Sequence, residues 1–179
     1  MSSPISNRNF LSPTGFLFKI NRCPKVSYFC SSANIPSLDI GTATQPTYLK
    51  DIPLPGDKVQ FGDLSIEFLV DEDLGNYMEI QKWIRGLAYP ESIKEYTDLK
   101  NHKTLPDKSD IKGIYSDAVL QILTSNNVTN FQINFKDLFP VSLSTLTYNA
   151  DETDINYFKA SVNFVYLIYN ITDERGNPL

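Results

Sequence analysis

The sequence predicts a mainly β protein, an antiparallel β-sandwich or small barrel flanked by one α-helix, and three observations predict it. Phe and Tyr are abundant at 11 and 10 while Met is scarce at 2, and aromatic side chains suit a pleated, half-buried surface. Apolar residues alternate with polar ones in several separate stretches, the period-two signature of half-buried strands. Only one stretch of any length carries helical spacing. With 179 residues the chain fits one domain, able to bury roughly two-thirds of its unfolded surface.

Residues 1–13 are rich in Ser, Asn and Pro, with Phe10 and Leu11 as an isolated apolar pair. They predict an N-terminal arm that orders only when something holds it. Residues 14–171 form the predicted β domain. Its first strand is set by Phe16, Phe18 and Ile20 alternating with Leu17, Lys19 and Asn21. Residues 25–32 (KVSYFCSS) predict a second. From Asn34 to Pro55 the chain carries four prolines and one glycine, which predicts a loop followed by a short edge strand from Tyr48 to Leu54. Pro55-Gly56 marks a turn. Leu64, Ile66 and Phe68 then alternate with Ser65, Glu67 and Leu69 as a third strand.

Asp71, Glu72 and Asp73 offer an N-cap and negative charge at the positive end of a helix dipole. Leu74, Tyr77, Ile80, Ile84 and Leu87 follow at spacings of three and four, flanked by Trp83, and predict a helix packed on the sheet. Gly86 and Pro90 supply its stop. Residues 89–113 are polar and predict an extended loop with room for a short helix from Glu91 to Leu99. Three further strands centre on Ala118, Leu120 and Ile122; on Phe131, Ile133 and Phe135; and on Phe158, Ala160, Val162, Phe164 and Tyr166, the last reaching Tyr169. Residues 172–179 predict a polar C-terminal tail. Strands of this length under one helix leave edges exposed, and such edges are protected or paired with another chain. The expectation is a self-assembling building block.

Several function classes are excluded by what the chain carries. Sixteen basic residues against 21 acidic give a net charge of −5, and the basic residues are scattered, unlike a phosphate-gripping surface. Cys23 and Cys30 are seven apart, matching neither zinc nor redox spacing. The only histidine, His102, sits in the polar loop without a nucleophile motif near it. No phosphate-cradling glycine loop occurs. Glu67, Asp71, Glu72 and Asp73 could supply a glycosidase-type carboxylate pair, but an outward strand position and helix capping account for them. The acidic run at 151–154 reads as a solvated hairpin turn. No catalytic, metal or cofactor site is expected. The N-terminus lacks a signal-peptide layout, and no apolar run approaches the roughly 20 residues of a membrane-spanning helix. A soluble protein made in a cytoplasm is the expectation.

Two stretches resemble the tail-tube protein family of contractile-tailed, T-even-type bacteriophages. One is DLSIEFLVDEDLGNYMEIQKWIRGL (63–87), a strand entering an acidic turn and an amphipathic helix with its Trp. The other is INFKDLFPVSLSTLTYNADETDINYFKASVNFVYLIY (133–169). There a strand ends in an aromatic-Pro step, and a polar hairpin leads to a final alternating strand. Phe139, Pro140, Leu143, Leu146, Tyr148, Phe158, Val162, Phe164 and Tyr166 match that pattern, and the opening FLFKINRCPKVSYFCSSANIPSLDIG resembles the family's first hairpin.

The resemblance implies a structural subunit of a phage tail tube, found in the virion and assembled in the host cytoplasm. Six copies would form a ring, and rings would stack around a lumen through which DNA leaves without specific binding. Sheath and baseplate proteins would be its other partners, with no membrane and no cofactor. Candidate contacts between copies are Tyr28, Pro46, Tyr48, Ile52 and Pro53. A tube-initiating or adaptor ring protein at the baseplate shares the fold and is the alternative. A monomeric β-sandwich binding module is the rival from another class.

Overall fold

The computed structural model describes residues 11–100, 113–149, 151 and 157–178, the side chain of Lys100 excepted. Its strands are β1 (Phe16–Ile20), β2 (Cys30–Ala33), β3 (Leu38–Gln45), β4 (Ile52–Phe61), β5 (Leu64–Leu69), β6 (Ser116–Leu123), β7 (Thr129–Leu143), β8 (Lys159–Val165) and β9 (Ile168–Asp173). Its helices are α1 (Pro24–Tyr28), α2 (Gly75–Ala88) and α3 (Ile93–Lys100).

Strand β7, 15 residues long, belongs to two layers. Up to Leu138 it pairs with β6 on one side and β9 on the other. From Phe139 to Leu143 it pairs with β8. One layer therefore runs β1-β6-β7-β9 and the other β7-β8-β5-β2, every pairing antiparallel. The change of layer falls beside Asp137, whose φ of 53° lies in the left-handed region that Asp tolerates better than most residues. Its N–H donates to Asp117 Oδ1 at 3.2 Å, so β6 holds the bend. Corners of this kind let one strand serve two packed sheets.

The inner faces meet as predicted from alternation. Phe18, Ile20, Leu120, Ile133 and Phe135 of one layer oppose Leu64, Ile66, Phe68, Val162 and Phe164 of the other, all at most 3% exposed. Helix α2 closes one side of the gap. Trp83, 1% exposed, packs on Phe164 with ring centroids 6.1 Å apart and donates its indole N–H to the Ile114 carbonyl at 2.9 Å. Ile80 is fully buried, and Tyr77, Ile84 and Leu87 lie half-buried against the same core.

The structure corrects several expectations. Residues 25–32 are not one strand: Pro24 at the first helical position presets the backbone for a turn of helix, which buries Val26 before β2 begins. The Pro-rich stretch is not a loop with a short edge strand but a long two-stranded ribbon, β3 with β4, and Pro55-Gly56 lies inside β4. Trp83 stands at the centre of the buried helix face, not at its flank. Gly86 does not stop α2: a Cβ there would meet Leu99 Cβ at 2.9 Å, so this glycine lets α3 approach. The expected long final strand is two, β8 and β9, broken at Tyr166-Leu167. Phe139-Pro140 lies within β7 and does not end it. Among the described residues three helices are present where one flanking helix was expected; α3 occupies the region read as a possible short helix. The N-terminal arm up to Phe10, His102 and most of the 151–154 run lie outside the described residues.

The acidic trio does not cap α2 either. The N-cap is Leu74, with a φ of 55° and no side-chain cap bond. Asn76, fully buried, does the tying: its Nδ2 donates to the Leu69 carbonyl at 2.7 Å, and its Oδ1 accepts the Asp71 N–H at 3.1 Å. This holds the end of β5 to the start of the helix. Asn76→Ala leaves both backbone groups unpaired and is expected to cost about 1–3 kcal/mol of stability, read as a lower denaturation midpoint in urea with unchanged slope.

Candidate assembly interface

The β3–β4 ribbon carries a row of exposed apolar residues outside the core. Directly opposite residues in an antiparallel pair share a face. Leu38 with Phe61, Ile40 with Val59, Thr42 with Pro55 and Thr44 with Pro53 line one face, and Asp39 with Gln60, Ala43 with Leu54 and Gln45 with Ile52 the other. On the first face Leu38, Ile40 and Val59 are 60%, 55% and 49% exposed. Beyond its root the ribbon has no substantial contact with other described elements. The root is firm: Phe61 packs on Tyr166 and Tyr169 at centroid distances of 6.1 and 5.4 Å. The Tyr166 hydroxyl donates to the Gly62 carbonyl at 2.8 Å.

Of the expected contact residues, Pro46 and Tyr48 stand at the ribbon's tip, Pro53 on its apolar face, and Ile52 beside Leu54 on the reverse. Tyr28 is not gathered with them. It stands on α1, 84% exposed, edge-on to Phe29 at 5.0 Å. The sequence reading missed Leu38, Ile40 and Val59, although Leu-x-Ile and Val-x-Phe alternation was there to be found.

Among the described residues the edges of β1 and β9 also have no further strand beside them. The Ile20 N–H donates to Ser27 Oγ at 2.9 Å, so this part of the β1 edge is covered. By strand alternation the backbone groups of Phe16 and Phe18 point the same way, toward no further strand. At the opposite border of that layer β9 pairs only with β7, apart from a bridge between Thr172 and Pro178. Leu167, Ile168 and Ile171 are exposed along it.

The sequence profile described as phage tail tube protein matches residues 7–172. The chain belongs to the phage tail tube protein family. Among curated sequences none matches significantly. Among solved structures, the tube-terminating cap of the anti-feeding prophage is similar at TM-score 0.59 and 11% identity over 96% of both chains. A chain from the sheath–tube complex of the extracellular contractile injection system PVC reaches TM-score 0.55 at 13% identity, covering 97% of this chain and 99% of that one. One from the anti-feeding prophage baseplate reaches 0.52 at 14%, covering 97% and 98%. At these identities the likeness speaks for the fold.

The tail tube family is a structural one, not known to be enzymatic. Glu67 is exposed on the outer face of β5. Asp71, Glu72 and Asp73 sit in the turn before α2. Among the described residues no cluster of three or more His, Cys, Asp or Glu could hold a metal, and no helix is long and apolar enough to cross a membrane. Burial pushes the Cys23 thiol up to about 12 and the Cys30 thiol up to about 11, so neither is a ready nucleophile. Of the residues read as helix packing, Tyr77, Ile80, Trp83, Ile84 and Leu87 face the core and Leu74 forms the N-cap. Val162, Phe164 and Tyr166 are buried in the core and Pro140 is buried in β7. Phe139 packs partly against the core, while Phe158, before β8, packs tilted against Tyr148 with ring centroids 4.7 Å apart.

A cavity of about 650 Å³ lies along α2 and α3, bordered by Arg22, Glu79, Lys82, Arg85, Glu95 and Asp98 among others. Its charges are mixed. Glu79 Oε2 is buried and finds no hydrogen-bond partner among the described residues. Burial raises the Glu79 pKa, against the opposing pull of Lys25 and Lys82. A carboxyl whose folded pKa is raised destabilises the fold as pH climbs through the ordinary glutamate range, and fully above its folded pKa. Glu79→Gln is therefore expected to raise the melting temperature at neutral pH and leave it unchanged near about pH 3, measured by thermal scans across pH.

Proposed function

We propose that this protein is the tube subunit of a contractile phage tail, forming six-membered rings that stack around a channel for DNA. The apolar face of the β3–β4 ribbon carries the reading. Leu38, Ile40 and Val59 are too exposed for a chain that works alone. A second copy of the same protein is the partner the reading assigns to that face, with Pro46, Tyr48, Ile52 and Pro53 joining the contact and Tyr28 making a separate one. The open edges at β1 and β9 support ring closure, since joining neighbouring sheets removes both.

Sheath and baseplate proteins are the remaining partners of this reading, and no cofactor enters it. DNA passes without specific binding, because a chain of net charge −5 repels phosphate more than it grips it. The assembled protein belongs to the virion and is built in the host cytoplasm.

The runner-up is a tube-initiating or adaptor ring protein. Likeness to cap, shaft and baseplate chains alike supports both readings equally. Copy number per particle separates them: one ring's worth fits the initiator, many rings the tube.

Negative-stain microscopy of the purified protein is the direct test, with rings or tubes bearing a central hole as the expected result. The pair Ile40→Asp and Val59→Asp is expected to abolish stacking while changing stability by no more than about 0.5 kcal/mol each, as for surface substitutions. A wild-type chain that stays monomeric at high concentration would sink the proposal.

A further inference from the structure

The edges of β1 and β9 carry matching sets of backbone groups. In β1 the Ile20 N–H donates outward to Ser27 Oγ at 2.9 Å, while Gly15 accepts the Leu123 N–H on the β6 side. Alternation therefore turns the N–H and C=O groups of Phe16 and Phe18 to the outer edge. In β9 the Asp173 N–H donates outward to the Asn177 carbonyl at 2.8 Å, so the same rule turns out Tyr169 and Ile171. Among the described residues none bonds these four outward N–H groups. Both free stretches end at stops. Beyond Phe18 the Ile20 N–H is taken, and beyond Tyr169 the Leu167 N–H turns back to the Lys136 carbonyl at 3.0 Å. Past Ile171 the Asp173 N–H is taken, and Thr172 is bridged to Pro178.

The strands of the layer β1-β6-β7-β9 alternate in direction, so its two border strands run opposite ways. A second copy brought alongside by rotation sets its β1 antiparallel to this β9. We infer that β1 of one copy pairs with β9 of the next in a single register: Phe16 opposite Ile171 and Phe18 opposite Tyr169, with Leu17 opposite Asn170 between them. Opposite residues of the hydrogen-bonded kind exchange both N–H···O bonds, so this register satisfies all four free N–H groups. A slip of two residues sets Phe18 against Leu167 or Phe16 against Asp173, whose N–H groups are already bonded. A slip of one throws every side chain to the wrong face.

The side chains agree independently of the backbone. Phe16 and Phe18 pack toward the core, and Tyr169 and Ile171 lie opposite Phe135 and Ile133 on that same face. The joint therefore continues the core row from one copy to the next. Ile171 is 38% exposed in the single chain. An apolar notch of about 170 Å³, bordered by Leu11, Phe16, Ala33, Ile35 and Ile122, receives its side chain from the neighbour. Two different edges meet, so the contact is head-to-tail and repeats until a ring closes. This joint rests on the ring reading proposed above and adds to it the strands and their register.

Disulfide trapping tests the register. Leu17 and Asn170 form a pair of the closer kind, with Cα atoms about 4.5 Å apart, within disulfide reach. Both are exposed, so Leu17→Cys with Asn170→Cys is expected to leave the subunit fold intact. Mild oxidation of the assembled double variant is expected to give a ladder of linked subunits on a non-reducing gel. Two slipped pairs, Leu17→Cys with Ile168→Cys and Lys19→Cys with Asn170→Cys, have Cα atoms about 7–8 Å apart in the same register and are expected to link about tenfold less. The unsubstituted chain, which keeps Cys23 and Cys30, is the blank. Rings that link best through a slipped pair, or through none, overturn the register and leave the ring reading standing. A wild-type chain that forms no rings overturns both. Hydrogen exchange on wild-type protein gives the answer should the double variant not assemble. The amides of Phe16, Phe18, Tyr169 and Ile171 are expected to exchange about tenfold or more slowly in rings than in the dilute monomer. Rings that leave those four amides unprotected overturn the joint.

Discussion

Everything in this fold hangs on one strand changing layers. Strand β7 pairs with β6 and β9 through its first part and with β8 through its second. A straight strand of 15 residues would have spread these partners into one sheet with both faces wet. The bend beside Asp137, held by Asp117, folds the sheet onto itself, and the inner rows become one core. Helix α2 then has a defined gap to fill, and Trp83 fills it.

That economy leaves one element without a share of the core. The β3–β4 ribbon grows from between β2 and β5, and only Phe61 at its root joins the aromatic group of Tyr166 and Tyr169. An isolated two-stranded ribbon is marginal in water. Its order in the single chain comes from the root, and on the proposed reading a second copy over Leu38, Ile40 and Val59 adds to it. The two layers thus share a core between them, and the ribbon looks outward.

The division also explains what could be read from the sequence. The strands that line the core were legible because one face is buried and the other is not, as Leu64, Ile66 and Phe68 show. The helix was legible too, but its centre was not. Trp83 and Gly86 are buried by tertiary partners, Phe164 and Leu99, which no local spacing reveals. Asp71, Glu72 and Asp73 looked like a cap by chemistry; the buried amide of Asn76 took that part through bonds to both ends of the junction. The ribbon was misread because Pro weighs heavily against strands, and only the register shows why it is tolerated here. Burial of Arg22 left no signal in the sequence, since the Leu99 and Gly113 carbonyls that it bonds lie far along the chain.

The prolines that hid the ribbon are informative about how it works. Pro53 and Pro55 sit opposite Thr44 and Thr42, two residues apart, so their missing N–H groups fall on the same edge of β4. Because the ribbon keeps its pairing through this stretch, that edge is the outer one, away from β3. A β4 edge so built is a poor template for adding a further strand, which is the usual route from an exposed edge to aggregation. Its apolar face carries no such block. On the proposed reading a second copy docks on that face, through Leu38, Ile40 and Val59, and does not pair along the β4 edge. A subunit that has to wait in solution before joining an ordered assembly needs that asymmetry: a closed edge against random pairing, and an open face for a partner of the right shape.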